Sequence, residues 1–490
     1  MFKVVSPESV GVKSSAIKRF IALLDKRGAR THSFIMLRHG KIFSECYYKP
    51  FNKDFCHRMY SQTKSFVGIG ICLLIQDGLL DLSDKIYKFF PDKIDNSLDK
   101  YYLDQTIEEM LTMTTCLPRQ NWFDDKTYDR TKLYFSDNSV KRPSNTLWAY
   151  DSGGSQVLCA LIERLTGKTL LEYLTEKIFA KTGFFKTARV LKTPNGDSWG
   201  DSALICTQRD VASFAQLLLD GGVWQGERLI NEDLVKKATS SIVDNNIDSF
   251  ASPFRFGYGY QIWKTERDGF AFVGMGDQLT IVVPQKDLVF SICSDNQGNP
   301  KIRELIFDYF FDIIIDDMLE VPIVEDETSY KDLQIYLSKK ELFHLDNSVD
   351  FDKESVNNVK YILSDNPMGI KWFKFNFDLG EFLYENAQGQ KVISFGVDKN
   401  VFSNFPEYGY AKDYGTQVTT DGFTYKCATS VKFADSNKII MCVQIIDDYF
   451  GNMSALFAFK GDEVVLNMSK TAEDFLQTYQ GTALGRKEKN

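Results

Sequence analysis

The sequence predicts an α+β fold in two domains: an antiparallel sheet flanked by helices and carrying a helical subdomain, then a β-rich C-terminal domain. Three observations predict it. At 490 residues the chain is too long for one ordinary core. Helical periodicity opens the chain and fills its middle, while strand-like runs come early and return between 258 and 293. From Gly369 onward the pattern is almost entirely strand-like. The domains are expected at 1–320 and 321–490.

Residues 14–27 open with a serine cap, and Ile17, Phe20, Ile21 and Leu24 recur at helical spacing. Residues 33–38 and 41–48 flank His39-Gly40 and read as a hairpin. Residues 61–77 are apolar on nearly every side, the pattern of a buried helix. Thr106 and Glu109 form a capping box for the short helix after them. Residues 156–166 make a helix closed by Gly167, and 207–219 another closed by Gly221-Gly222. Strands at 258–263, 269–273, 279–283 and 287–293 then form an antiparallel meander, and a helix follows at about 301–317. The terminal helices can share one sheet, with the middle helices as an insert. Val321-Pro322, ahead of the acidic EDET, marks the boundary, and 333–348 is helical or irregular. In the C-terminal part Phe373, Phe375 and Phe377 alternate onto one face, Phe423, Tyr425 and Cys427 do likewise, and 439–446 is strand-like.

Composition excludes several functions. Hydrophobic residues at 43% and charged residues at 25% are globular values. A formal charge of −8 and a pI near 5.3 repel phosphate backbones, so no nucleic-acid partner is expected. The N-terminus lacks the apolar core of a signal peptide, and the richest apolar run, 66–75, is too short to span a bilayer. Nine scattered cysteines without a CxxC pair point to reduced thiols, and four histidines without ligand spacing offer no metal centre. A cytoplasmic protein without membrane, metal or cofactor is the expectation.

Three short segments carry chemistry. Ser61-Gln62-Thr63-Lys64 places a hydroxyl and an amine at i and i+3, one face of a helix. A serine hydroxyl needs a base at neutral pH, and a lysine in apolar surroundings can serve. Taken alone, the tetrad is a weak signal and fits an N-cap serine with a solvated lysine better. Tyr150-Asp151-Ser152 precedes a Gly153-Gly154 turn into a helix, and a phenol beside an ammonium can relay a proton. Phe272-Val273-Gly274-Met275 ends a strand with a glycine that lets a substrate approach.

In this order SQTK, YDS and FVG resemble the motifs of the serine β-lactamase and penicillin-binding-protein superfamily, above all class C β-lactamases and the related esterases, D-aminopeptidases and 6-aminohexanoate-dimer hydrolases. IEEMLTMTT, GGVWQGERLI and FGYGYQIW are similar to phrases of that family, and the resemblance spans roughly residues 5–318. It implies a β-lactamase-like domain and a serine hydrolase acting on a small-molecule ester or amide. Ser61 would be the acylated nucleophile, with Lys64 and Tyr150 sharing general-base and acid work. Ser152 would bond Lys64 or the substrate. The strand end at Gly274 would border the substrate, and the N–H groups of Ser61 and Met275 would form the oxyanion hole. Val273 departs from the pattern, standing where lactamases carry a hydroxyl, which argues against strong β-lactamase activity. Cys116 is a second departure. The rival readings are a catalytically degenerate module that only binds, and a D-amino-acid peptidase or weak β-lactamase.

Other features are set aside. Gly196-Asp197-Ser198-Trp199-Gly200 matches the nucleophile elbow, yet a turn precedes it where a strand is required. His57 is expected to be structural or exposed, and Asp210 to cap a helix. Trp122, Trp148 and Trp199 stand near the motifs as pocket or core aromatics.

Overall fold

Alternating side chains sort the strands of the N-terminal sheet onto two cores. The computed structural model describes residues 2–94, 98–117, 129–137, 139–246, 252–410 and 419–489. They divide into two compact units, one reaching Glu341 and the other beginning at Leu342. The first contains β1 (Lys3–Val4), α1 (Ser14–Lys26), β2 (Thr31–Arg38), β3 (Lys41–Tyr47), α2 (Thr63–Gln76), α3 (Ser152–Thr166), α4 (Gln208–Leu219), β4 (Trp263–Lys264), β5 (Phe270–Gly274), β6 (Gln278–Val283), β7 (Leu288–Ser294), α5 (Lys301–Tyr309) and α6 (Glu327–Ser338). The sheet order is β1-β3-β2-β7-β6-β5-β4, antiparallel except for the β1–β3 pair. His39 and Gly40, both at positive φ, make the two-residue turn between β2 and β3.

Phe34, Met36, Ile281 and Phe290 face one side of the sheet and pack under α1 and α5. Phe20 meets Phe290 edge-on at 5.6 Å, and Phe310, in the π-helical turn that continues α5, stacks on Phe290 at 4.8 Å. Ile35, Leu37, Val282 and Val289 face the opposite side, toward α2, α3 and α4. There Phe66 of α2 stacks on Phe214 of α4 at 4.0 Å. Each fully buried side chain of this kind contributes about 2 kcal/mol, and two such faces hold α2 rigidly between sheet and helical region.

Two expectations shift. The strand predicted at 258–263 is reduced to β4, because Gly259 N donates to Ile262 O at 2.8 Å and Gln261 adopts a left-handed φ of 60°. That turn is pinned from inside: Gln261 Nε2 donates to the carbonyls of Met110 and Leu111, and its Oε1 accepts from Ser155 Oγ at 2.6 Å. The 320/321 boundary falls inside the first unit, since α6 buries Leu333 and Leu337 in the α1–α5 core and Lys18 of α1 pairs with Asp332 at 2.6 Å.

The second unit is β-rich and barrel-like, with one eleven-stranded, almost wholly antiparallel sheet among the described residues. Phe373 and Phe375 of strand Trp372–Asn376 point inward onto Phe382 and Phe457, with ring centroids between 4.9 and 5.8 Å apart. Phe377 stacks on Phe375, and Tyr425 and Cys427 are buried, as their alternation requires.

Candidate active site

The turn that carries Ser61 is built under strain and clamped. Ser61 lies in the 3-10 turn Tyr60–Gln62 that feeds α2, and Tyr60 before it has φ +46°, a left-handed conformation that costs a tyrosine about 1–2 kcal/mol. Several bonds hold it there. Thr63 Oγ1 donates to Tyr60 O at 2.6 Å and accepts from Leu204 N at 3.0 Å. Met59 N donates to Leu204 O at 2.8 Å. Strand His57–Arg58 pairs with Leu204–Cys206, and the Arg58 guanidinium covers the Tyr60 ring at 4.4 Å.

Helix geometry then delivers Lys64 to Ser61. Lys64 is 1% exposed, at the head of a helix buried along almost its whole length. Its Nζ donates to Ser61 Oγ at 3.0 Å and to the Asp201 carbonyl at 2.6 Å, and lies 3.8 Å from Asp201 Oδ2. The same nitrogen faces the Tyr150 ring, 5.0 Å from its centroid. That ring is stacked on Trp263 at 5.7 Å and backed by Trp148. Beyond Trp148 a cavity of about 530 Å³ is lined by Thr114, Arg142, Asn145, Trp148 and Asp244.

Asp151 caps α3, accepting from Gly154 N and from Thr115 Oγ1, both at 2.9 Å; burial pushes its carboxyl upward, and Lys64 partly opposes that. Ser152 is the first residue of α3, and its hydroxyl hydrogen-bonds no described residue. Gly274 ends β5 beside the nucleophile turn. Met275, 40% exposed, follows it, and its carbonyl accepts from Gln278 Nε2 at 2.8 Å. Gln278 also bonds both backbone groups of Ser294, so the turn after β5 is fixed to β7. Val273 is half-buried.

The elbow-like motif is a loop crossing. Ser198 is buried, its N–H donates to Glu163 and its carbonyl accepts from Gln156. A Cβ on Gly200 would stand 2.2 Å from Cys159 Cβ, so only glycine lets the loop pass over α3. His57 is buried beside His32, with ring nitrogens 2.9 Å apart, and burial pushes its pKa down to about 3. Asp210 completes a capping box with Thr207. The Cys116 thiol is pushed up to about 12 by burial. Trp199 is buried between the guanidinium groups of Arg58 and Arg130, at 4.6 and 4.7 Å. Trp122 lies outside the described residues.

Asp201 and Gln261 escaped the sequence reading. Asp201 joins the site only through a loop that folds back over α2, and its one signal was a carboxylate within an otherwise apolar stretch, WGDSALIC. All nine cysteines are free, and no helix among the described residues is long and apolar enough to cross a membrane.

Residues 16–309 match the family described as Beta-lactamase. A 6-aminohexanoate-dimer hydrolase of Paenarthrobacter ureafaciens is 25% identical over 278 residues, 53% of this chain and 71% of the relative. Among solved structures, a putative 6-aminohexanoate-dimer hydrolase from Bacillus anthracis has a TM-score of 0.53 at 20% identity, over 64% of this chain and 87% of that one. The octameric penicillin-binding protein homologue from Pyrococcus abyssi has a TM-score of 0.50 at 14% identity, over 96% of this chain and 99% of its own. These structural likenesses concern the fold, and the last extends through both units.

Proposed function

The chain belongs to the beta-lactamase family, and from that premise we propose that it is a hydrolase working through an acyl-enzyme on Ser61. The observation that carries this reading is the Lys64 amine, buried and 3.0 Å from the Ser61 hydroxyl, against the face of Tyr150.

In the proposed reaction Ser61 Oγ forms a bond to the carbonyl carbon of a small ester or amide while its proton passes to Lys64, assisted by Tyr150. The carbonyl oxygen becomes an oxyanion held by the N–H groups of Ser61 and Met275, each donor of this kind being worth about 3–4 kcal/mol. The carbonyl-to-leaving-group bond then breaks, and the alkoxide or amine departs with a proton returned by the Lys64–Tyr150 pair. Water adds to the acyl carbon, gives that pair a proton and releases the acid, restoring Ser61. Ser152, at the head of α3 with an unengaged hydroxyl, is free to meet substrate.

The relatives named as 6-aminohexanoate-dimer hydrolases favour an amide as substrate. Val273 offers no hydrogen bond at the position where a β-lactam carboxylate would be met, which favours esters and simple amides over β-lactams. Nine free thiols, eight of them buried, favour a reducing, cytoplasmic setting. The same Val273 is what a binding-only descendant of the fold would show. The test is a fluorophosphonate probe followed by intact and peptide mass spectrometry, with turnover of p-nitrophenyl butyrate and Ser61→Ala as control. Label on Ser61 and turnover abolished in the variant support the enzyme; equal turnover in both proteins removes it.

A further inference from the structure

We propose that Asp201 is a positioning residue for the reaction, holding Lys64 on Ser61 through its backbone carbonyl and supplying through its carboxylate the counter-charge for the ammonium that forms. The inference rests on Lys64 being the proton carrier of the proposed hydrolase.

The geometry separates the two tasks. The carbonyl is in hydrogen-bond contact with Nζ at 2.6 Å and fixes where the amine points. The carboxylate, at 3.8 Å, is beyond proton-transfer distance but within strong Coulomb range. It therefore acts by its field and takes no proton from Ser61. The side chain is 1% exposed, so water does not screen that field.

The loop bearing Asp201 is locked on both sides. Trp199 is held between Arg58 and Arg130, Arg58 Nε donates to Ser202 O at 3.0 Å, and Gly200 N donates to Gln156 Oε1 at 2.9 Å. The charged and titratable groups around the carboxylate are Lys64 from α2, Arg58 from the strand before Ser61, Arg130 from the helix Arg130–Ser136, and the Cys159 thiol from α3. Around Lys64 stand Ser61, Tyr150, Asp201 and the buried Asp151, itself near Arg142. Burial raises the Asp201 carboxyl, while Lys64, Arg130 and Arg58 draw it back toward the ionised form. Lys64 is the first of the three cations that offset this burial.

Asp201→Asn keeps the backbone carbonyl and the shape and removes only the charge. An opposite charge at this distance moves a titration by about 1–3 pH units. Without the carboxylate's charge the acidic limb of kcat/KM for p-nitrophenyl butyrate is expected at lower pH by about one unit or more. The plateau kcat is expected to fall about tenfold, with KM within about twofold, since Asp201 touches no substrate. Arg130→Gln removes a cation that helps to keep the same carboxylate ionised and is expected to move the limb the same way, by less. Limbs that superimpose on the parent's in a folded Asp201→Asn protein overturn the proposal, whatever happens to kcat. Should Asp201→Asn not fold, Arg130→Gln decides: a downward shift supports the counter-charge and an unmoved limb overturns it. Turnover that survives Ser61→Ala removes the hydrolase reading itself. Turnover lost in Ser61→Ala with an unmoved Asp201→Asn limb removes this inference alone.

Discussion

The Cα of Gly274 faces the backbone oxygen of Met59 so closely that a Cβ there would stand 2.3 Å from it. Met59 opens the turn carrying Ser61, and Gly274 closes the strand whose end borders the same space. Two pieces of backbone far apart in sequence are thus pressed together at the proposed oxyanion hole, and the absence of a side chain permits it.

Gly274→Ala is therefore expected to push β5 away from the nucleophile turn. The backbone there is extended and the added methyl meets rigid backbone, so the strain is steric and about 1–3 kcal/mol, the usual cost of overpacking. A lower melting temperature is expected together with a loss of about tenfold or more in kcat/KM for p-nitrophenyl butyrate. Activity equal to the parent's would show that this approach does not shape the site.

Acid is expected to weaken the fold through His32 and His57. With both rings neutral, His57 Nδ1 donates to the Arg58 carbonyl at 2.9 Å and its Nε2 accepts from His32 Nδ1 at 2.9 Å, and the contact between the rings fails once both are protonated, because two donors then face each other. Burial lowers both, His57 to about 3. A histidine lowered in the folded state contributes stability that is present above its unfolded pKa of about 6.5 and lost as pH falls below it. The loss reaches about 1.4 kcal/mol per pH unit for each ring. The raised carboxyls of Asp151 and Asp201 act with the opposite sign, so the comparison is with a variant. Urea midpoints measured from pH 7.5 down to 4.5 should fall more steeply in the parent than in His57→Gln, and parallel curves would refute the assignment.

The parts legible in the sequence are those whose cause is local. Ser61 and Lys64 meet because i and i+3 share a helix face, Thr106 and Glu109 cap because the box spans four residues, and the two-sided apolar alternation of 279–293 marks a central sheet. Asp201 was illegible because its place depends on a loop passing over α3 at Gly200 to reach Lys64 of α2, a fact of tertiary packing. The turn at 258–262 was misread for a related reason. Its residues have strand composition, but Gln261 is held inward by partners near positions 110 and 155. The GDSWG loop shows the converse: Gly200 answers to Cys159 and Gly196 to a φ of 98°, and the serine between them is backbone-bonded scenery.

Thr63→Val tests whether the strained turn is held by that one hydroxyl. Valine matches threonine in shape, so packing is kept while Oγ1 is lost. Two bonds go with it, the one donated to Tyr60 O and the one accepted from Leu204 N. Leu204 N is then a buried donor without its acceptor, at a cost of about 1–3 kcal/mol. Tyr60, no longer tied by its carbonyl, can relax from its φ of +46°, and that relaxation swings Ser61 away from Lys64. Stability and catalysis should therefore fall together, with labelling of Ser61 by fluorophosphonate slowed about tenfold or more while KM changes little. A variant that melts lower yet labels at the parent rate would mean that the helix alone, and not the clamp on Tyr60, sets the serine's position.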